Sequence, residues 1–197
     1  MNKEIKEFDL AHKYITNGNF NEAKKIYIKL IKEGSRNHLV FGNLAIIYGL
    51  EEDFNRMYDL LIKAITINPN YHDAHSNLGF YYSKKKDYNS AISSYKNALN
   101  INPYLTETYF NLGIIYKDSG DINQAKKYYK EAIKINPKYF NAHYNIGLIY
   151  KENDDIDNAT KSFDIALQIN PNSSETYNNL GIIFLKKDNL DKAIKYF

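Results

Sequence analysis

The chain has 197 residues, 44% hydrophobic and 25% charged, a balance that excludes a disordered chain and suits a folded one. A formal net charge of +3 is too small to signal nucleic acid by itself, and the absence of cysteine removes disulfides and thiol chemistry. The N-terminal residues lack the apolar run and cleavage site of a signal peptide, and no stretch approaches the length of a membrane span. A cytoplasmic chain with no membrane partner is therefore expected.

All four prolines, Pro69, Pro103, Pro137 and Pro171, stand 34 residues apart. A fixed period of this size means one supersecondary unit repeated. After an N-terminal extension at 1–3, the spacing predicts copies at 4–37, 38–71, 72–105, 106–139 and 140–173, and an incomplete one at 174–197. The copy at 106–139 shows the unit most clearly. Tyr109, Leu112, Gly113 and Tyr116 fall on one helical face, and Ala125, Tyr129 and Ala132 on one face of a second helix. Pro137 stops that helix, because proline has no amide hydrogen and clashes with the preceding turn.

With each copy numbered 1 to 34, the first carries Leu10, Ala11, Tyr14, Ala23 and Tyr27, with Glu7 and Ser35 at positions 4 and 32 as polar substitutions suited to a terminal cap. Gly18 closes its turn. The second carries Phe41, Leu44, Ala45, Tyr48, Leu61, Ala64 and Pro69, but Met57 replaces the small residue at position 20. Gly42 and Gly49 lower its helix propensity by about 1 kcal/mol each. A wider helix pair and the softest internal copy are expected there. Copies three to five are regular, with Gly79, Gly113 and Gly147 at position 8 and His75, Tyr109 and His143 at position 4. Asp87, Asp121 and Asp155 precede the second helices, each followed two residues later by Asn89, Asn123 or Asp157; one of each pair should be the cap. The sixth copy has Tyr177, Leu180, Gly181, Phe184 and Ala193. It runs to Phe197 without a polar closing helix, so either the chain is expected to be a fragment of a longer array, or Ile182, Ile183, Leu190, Ile194 and Phe197 are expected to be covered by another molecule or by self-association.

This pattern resembles the tetratricopeptide repeat, a 34-residue helix–turn–helix with aromatic, Leu-Gly, Tyr, Ala, Phe and Pro marks. The resemblance covers residues 4–197 and implies an all-α, right-handed α-solenoid. It also implies a protein–protein interaction scaffold rather than an enzyme, with no cofactor and first helices lining a concave groove. One feature lies outside the packing marks. Position 6 is Asn43, Asn77, Asn111, Asn145 and Asn179 in five successive copies, and Asp9 in the first. Position 6 lies about 200° around the helix from position 8. It shares its stripe with position 2 (Asp73 and Glu107 among others) and position 9 (Ile114 and Leu148 among others). Under the resemblance the asparagines line the groove. They are similar to the asparagine row in the repeats of O-linked N-acetylglucosamine transferase and, in function, to that of importin α, where side-chain amides hold the backbone of an extended peptide. An amide offers both a donor and an acceptor to any peptide group. The plainer reading is that asparagine before Leu-Gly is a habit of this repeat.

Asp73 and Glu107 imply a basic partner segment. The family's carboxylate clamp needs basic residues at positions 5 and 2, and is missing: position 5 holds Phe8, Gly42, Ser76, Phe110, Tyr144 and Asn178. His72 and His75 have spacing for a shared metal, yet His75 fits an aromatic packing position, as His143 does. Lys24-Lys25, Lys84-Lys85-Lys86 and Lys126-Lys127 read as solvated helix faces ahead of any nucleic-acid role. Two rival functions remain. One is a targeting or regulatory arm of a larger enzyme, such as a glycosyltransferase, whose catalytic domain lies outside this chain; the other is a structural assembly module.

Overall fold

The computed structural model describes residues 3–197, which form twelve α-helices and no strand. Of the extension expected at 1–3, residues 1 and 2 lie outside the described residues, and Lys3 is the first residue of a helix. The chain divides into two compact units, Met1–Pro103 and Tyr104–Phe197. The first holds α1 (Lys3–Thr16), α2 (Phe20–Lys32), α3 (His38–Leu50), α4 (Phe54–Ile67), α5 (His72–Lys84) and α6 (Tyr88–Ile101). The second holds α7 (Thr106–Asp118), α8 (Ile122–Ile135), α9 (Phe140–Glu152), α10 (Ile156–Ile169), α11 (Ser174–Lys186) and α12 (Leu190–Tyr196). Within each unit every helix packs on the next, so each is an α-solenoid of tetratricopeptide type.

The helix ends follow from local chemistry. Asp53, Asp87, Asp121 and Asp155 accept the backbone N–H three residues on, capping α4, α6, α8 and α10. The aspartate, not Asn89, Asn123 or Asp157, is thus the cap. At the other end, Asn68, Asn102, Asn136 and Asn170 adopt the extended backbone that a following proline imposes. Asn68, Asn136 and Asn170 also accept the N–H two residues on, at 3.1, 3.1 and 3.2 Å. Between the helices of each copy one residue turns left-handed: Gly18 and Gly120, but also Glu52, Lys86, Asp154 and Asp188 with φ of 59°, 59°, 58° and 52°.

The core of copies three to five is an aromatic side chain from the second helix laid on a glycine of the first. A methyl group on Gly113 would meet the Tyr129 ring at 2.4 Å, and one on Gly147 would meet Phe163 at 2.7 Å. Both rings are fully buried. In copy two the small–large relation is moved. Buried Met57 places its sulfur 3.0 Å from where a Cβ on Gly49 would stand, and Gly42 admits the ring of Tyr71. The two glycines expected only to soften this copy are seats for its bulky side chains.

Candidate peptide-binding face

The asparagine row is divided between the units. Asn43 and Asn77 lie in the first, with Asp73; Asn111, Asn145 and Asn179 lie in the second, with Glu107, Ile114 and Leu148. Asn77, Asn111 and Asn145 are half-buried on α5, α7 and α9. Ile114 and Leu148 are half-buried and lean against the hydrophobic clusters of their unit, while Asp73 and Glu107 are exposed at the N-terminal ends of their helices.

Two members of the row are already engaged. Asn43 donates from Nδ2 to the Tyr27 hydroxyl at 3.1 Å, joining α3 to the second helix of the copy before it. Asn179 is buried. Its Nδ2 donates to the Tyr144 hydroxyl at 3.2 Å and to the Glu175 carbonyl at 2.9 Å, and its Oδ1 accepts from Lys151. Asn179 is a link within the unit in this structure, because Tyr144 and Lys151 sit close enough to use both ends of its amide. Asn145 donates to the carbonyl of Asn141, one turn back on its own helix, at 2.8 Å. The position-6 side chain thus reaches toward the preceding copy as well as outward, which helical angle alone does not reveal.

Several neighbouring groups have assignments that the sequence left open. His75 and His143 donate from Nε2 to the carbonyls of Pro69 and Pro137, each at 2.9 Å, tying a first helix to the proline turn before it. Lys24 and Lys126 are not merely solvated. Each holds its ammonium 4.3 Å from the centroid of a tyrosine ring in the next copy, Tyr48 or Tyr150. Lys24 also pairs with Glu51. Positions 4 and 23 vary together beside a tyrosine at position 11 in copies three to five. In copy four Tyr109, Tyr116 and Tyr128 form one cluster, with Tyr116 stacked on Tyr128 at 5.2 Å. Where position 4 is His75 or His143, position 23 is a buried serine, Ser94 or Ser162, bonded to its own helix backbone. Among the described residues no group of three or more His, Cys, Asp or Glu is placed to hold a metal, and no helix is long and apolar enough to cross a membrane.

Family models described as TPR repeat match residues 81–120 and 113–154, and models described as tetratricopeptide repeat match 8–33, 60–93, 140–173 and 163–195. The chain belongs to the tetratricopeptide repeat family, whose proteins are protein-interaction scaffolds. No curated protein matches it in sequence. Among solved structures it is similar to PilF of Pseudomonas aeruginosa, with a TM-score of 0.87 and 17% identity over 98% of this chain and 88% of that one. It is similar also to MamA, with a TM-score of 0.72 and 25% identity over 84% and 96% of the two chains. YrrB, described as a TPR protein with an unusual peptide-binding site, matches with a TM-score of 0.69 and 20% identity over 86% and 88%.

Proposed function

We propose that this chain is a cytoplasmic, non-enzymatic scaffold whose first helices receive an extended, basic segment of a partner protein. The array at 4–197, in copies 4–37, 38–71, 72–105, 106–139, 140–173 and 174–197, is its working part. In the first unit Asn77 supplies an amide to a segment's backbone and Asp73 attracts its lysines or arginines; in the second Asn111 and Asn145 supply amides, Ile114 and Leu148 supply apolar contact, and Glu107 attracts basic groups. Asn43 and Asn179 hold the flanks through their tyrosine partners and join the row only at the cost of those bonds. The observation that carries the reading is the half-open state of Asn77, Asn111 and Asn145 beside exposed carboxylates. The description of YrrB as having a peptide-binding site gives it a precedent on this fold.

The test begins with a pull-down from the native source, followed by titration of the captured partner's segment against Asn111→Ala and Asn145→Ala. Each substitution is expected to weaken binding by about 0.5–1.5 kcal/mol while leaving the melting temperature nearly unchanged. Unchanged affinity would place the binding surface elsewhere. A second reading, self-association, is favoured by Leu190, Ile194 and Phe197, which are 62%, 74% and 66% exposed. Ile183, expected on the same open face, is instead fully buried in a cluster that includes Ala159 and Phe163 of the preceding copy. A sedimentation series that stays monomeric at high concentration would remove this reading.

A further inference from the structure

The second helices carry a feature unrelated to the asparagine row. On α8, Lys127, Lys130 and Lys134 follow one another at helical spacing, and Lys138 stands in the turn beyond; all four are exposed. The three helical lysines form a stripe about 10 Å long. Among the described residues, the single ion pair made by this row is Lys134 with Glu131, at 3.5 Å. Lys127 lies 6.0 Å from the Tyr128 ring, and neither Lys130 nor Lys138 has a carboxylate partner.

Lysine-rich α2 is different. There Lys25 pairs with Glu22 at 2.6 Å, Lys29 with Glu7 at 2.8 Å, and Lys24 with Glu51. Among the described residues, three of the four lysines of α2 thus pair with a carboxylate, whereas of the four on α8 only Lys134 does. Among the second helices of this unit the lysine row is densest on α8: α10 mixes Asp157 and Asp164 with Lys161, and α12 mixes Asp191 with Lys192 and Lys195.

We propose that the exposed face of α8 is a docking surface for an acidic segment of a partner protein, its carboxylates meeting Lys127, Lys130, Lys134 and Lys138. A stripe one helix wide fits a linear segment. A flat anionic membrane would also press on the carboxylates of α10, and nucleic-acid binding would call for a broader basic surface with aromatic or arginine contacts that this stripe lacks. The surface is independent of the first-helix face, so the two readings stand or fall separately.

The experiment is amide chemical-shift mapping of the isotope-labelled full chain at low ionic strength. The probe is a soluble peptide with glutamate at alternate positions. Shifts are expected to concentrate at 127–138. The K127Q/K130Q/K134Q variant should bind about tenfold or more weakly. Glutamine keeps helix propensity, so this variant folds; K25Q/K29Q/K32Q on α2 should bind like the parent chain. Binding should also weaken as salt is added. The proposal is overturned by shifts that avoid α8, or by equal loss in the α2 variant. It is overturned equally by tighter binding to phosphatidylserine vesicles or to a single-stranded oligonucleotide than to the peptide.

Discussion

Tyr27 and Tyr129 occupy the same position in copies one and four and are both fully buried, but their hydroxyls differ. Tyr27 accepts a bond from Asn43, whereas the Tyr129 hydroxyl has no partner, its counterpart Asn145 having turned to Asn141. Removing a hydroxyl that is bonded strands the amide it served; removing one that is unpaired relieves a buried polar group. Tyr27→Phe should therefore destabilise by about 1 kcal/mol, and Tyr129→Phe should be neutral or stabilising by about 0.5–1 kcal/mol. Denaturant melts of the two variants check the opposite signs. By the same reasoning Asn179→Ala should cost about 1–2 kcal/mol, while Asn77→Ala should stay within about 0.5 kcal/mol. The sequence showed the asparagines as a row because their spacing is visible. It did not show their differing roles: Asn43 meets the Tyr27 hydroxyl and Asn179 that of Tyr144, while Asn145 turns to its own helix although the preceding copy holds Tyr129.

At the level of the helix and its turn, most of the architecture was legible. Prolines at fixed spacing, the aspartate before each second helix and the small residue at position 8 each act through local sterics or hydrogen bonding, which a single sequence records. Compensation between distant positions was not. Met57 looked like a misfit until Gly49 was found beneath it, and Gly42 looked like a weak helix residue until Tyr71 was found against it. The turns carry a similar hidden cost. Lys86 and Asp154 adopt the left-handed backbone that Gly120 adopts in copy four, and a β-carbon is disfavoured there. Lys86→Gly and Asp154→Gly should each raise stability by about 0.5–1 kcal/mol, and Gly120→Ala should lower it by a similar amount. Gly113→Ala is a different test: nothing limits its backbone, but the new methyl meets the Tyr129 ring, and a loss of about 1–3 kcal/mol is expected. Thermal melts that reversed the order of Lys86→Gly and Gly113→Ala would contradict this account of the turn and the core.

Across the whole molecule, function was less legible than fold. The repeat marks are packing marks and specify helices; a partner is specified by surface groups whose pairing depends on which copy follows which. The tyrosines connect the two levels. The chain has 19 tyrosines, and those on the packing marks other than Tyr177 are buried or half-buried in both units. Burial, reinforced by the charge of Asp73, pushes Tyr71 up to about 12. The hydrogen bond that Tyr82 donates to Tyr58, with burial, does the same for Tyr82, also to about 12. Burial raises Tyr129 further, and raises Tyr128, Tyr139 and Tyr196 as well. In the unfolded chain these phenols ionise near a pKa of about 10. The fold therefore binds their protons more tightly than the unfolded chain does. Its stability from this source is whole below that value, declines as pH rises through it, and is lost by the time pH passes the folded value of about 12 for Tyr71 and Tyr82. Tyrosinate absorbance and helical circular dichroism followed together should change in one cooperative step between those limits, since ionising a buried phenol and opening its copy are the same event. Complete ionisation with the helical signal intact would show that the phenols reach water without unfolding, and that the aromatic layer between the helices is looser than its burial implies.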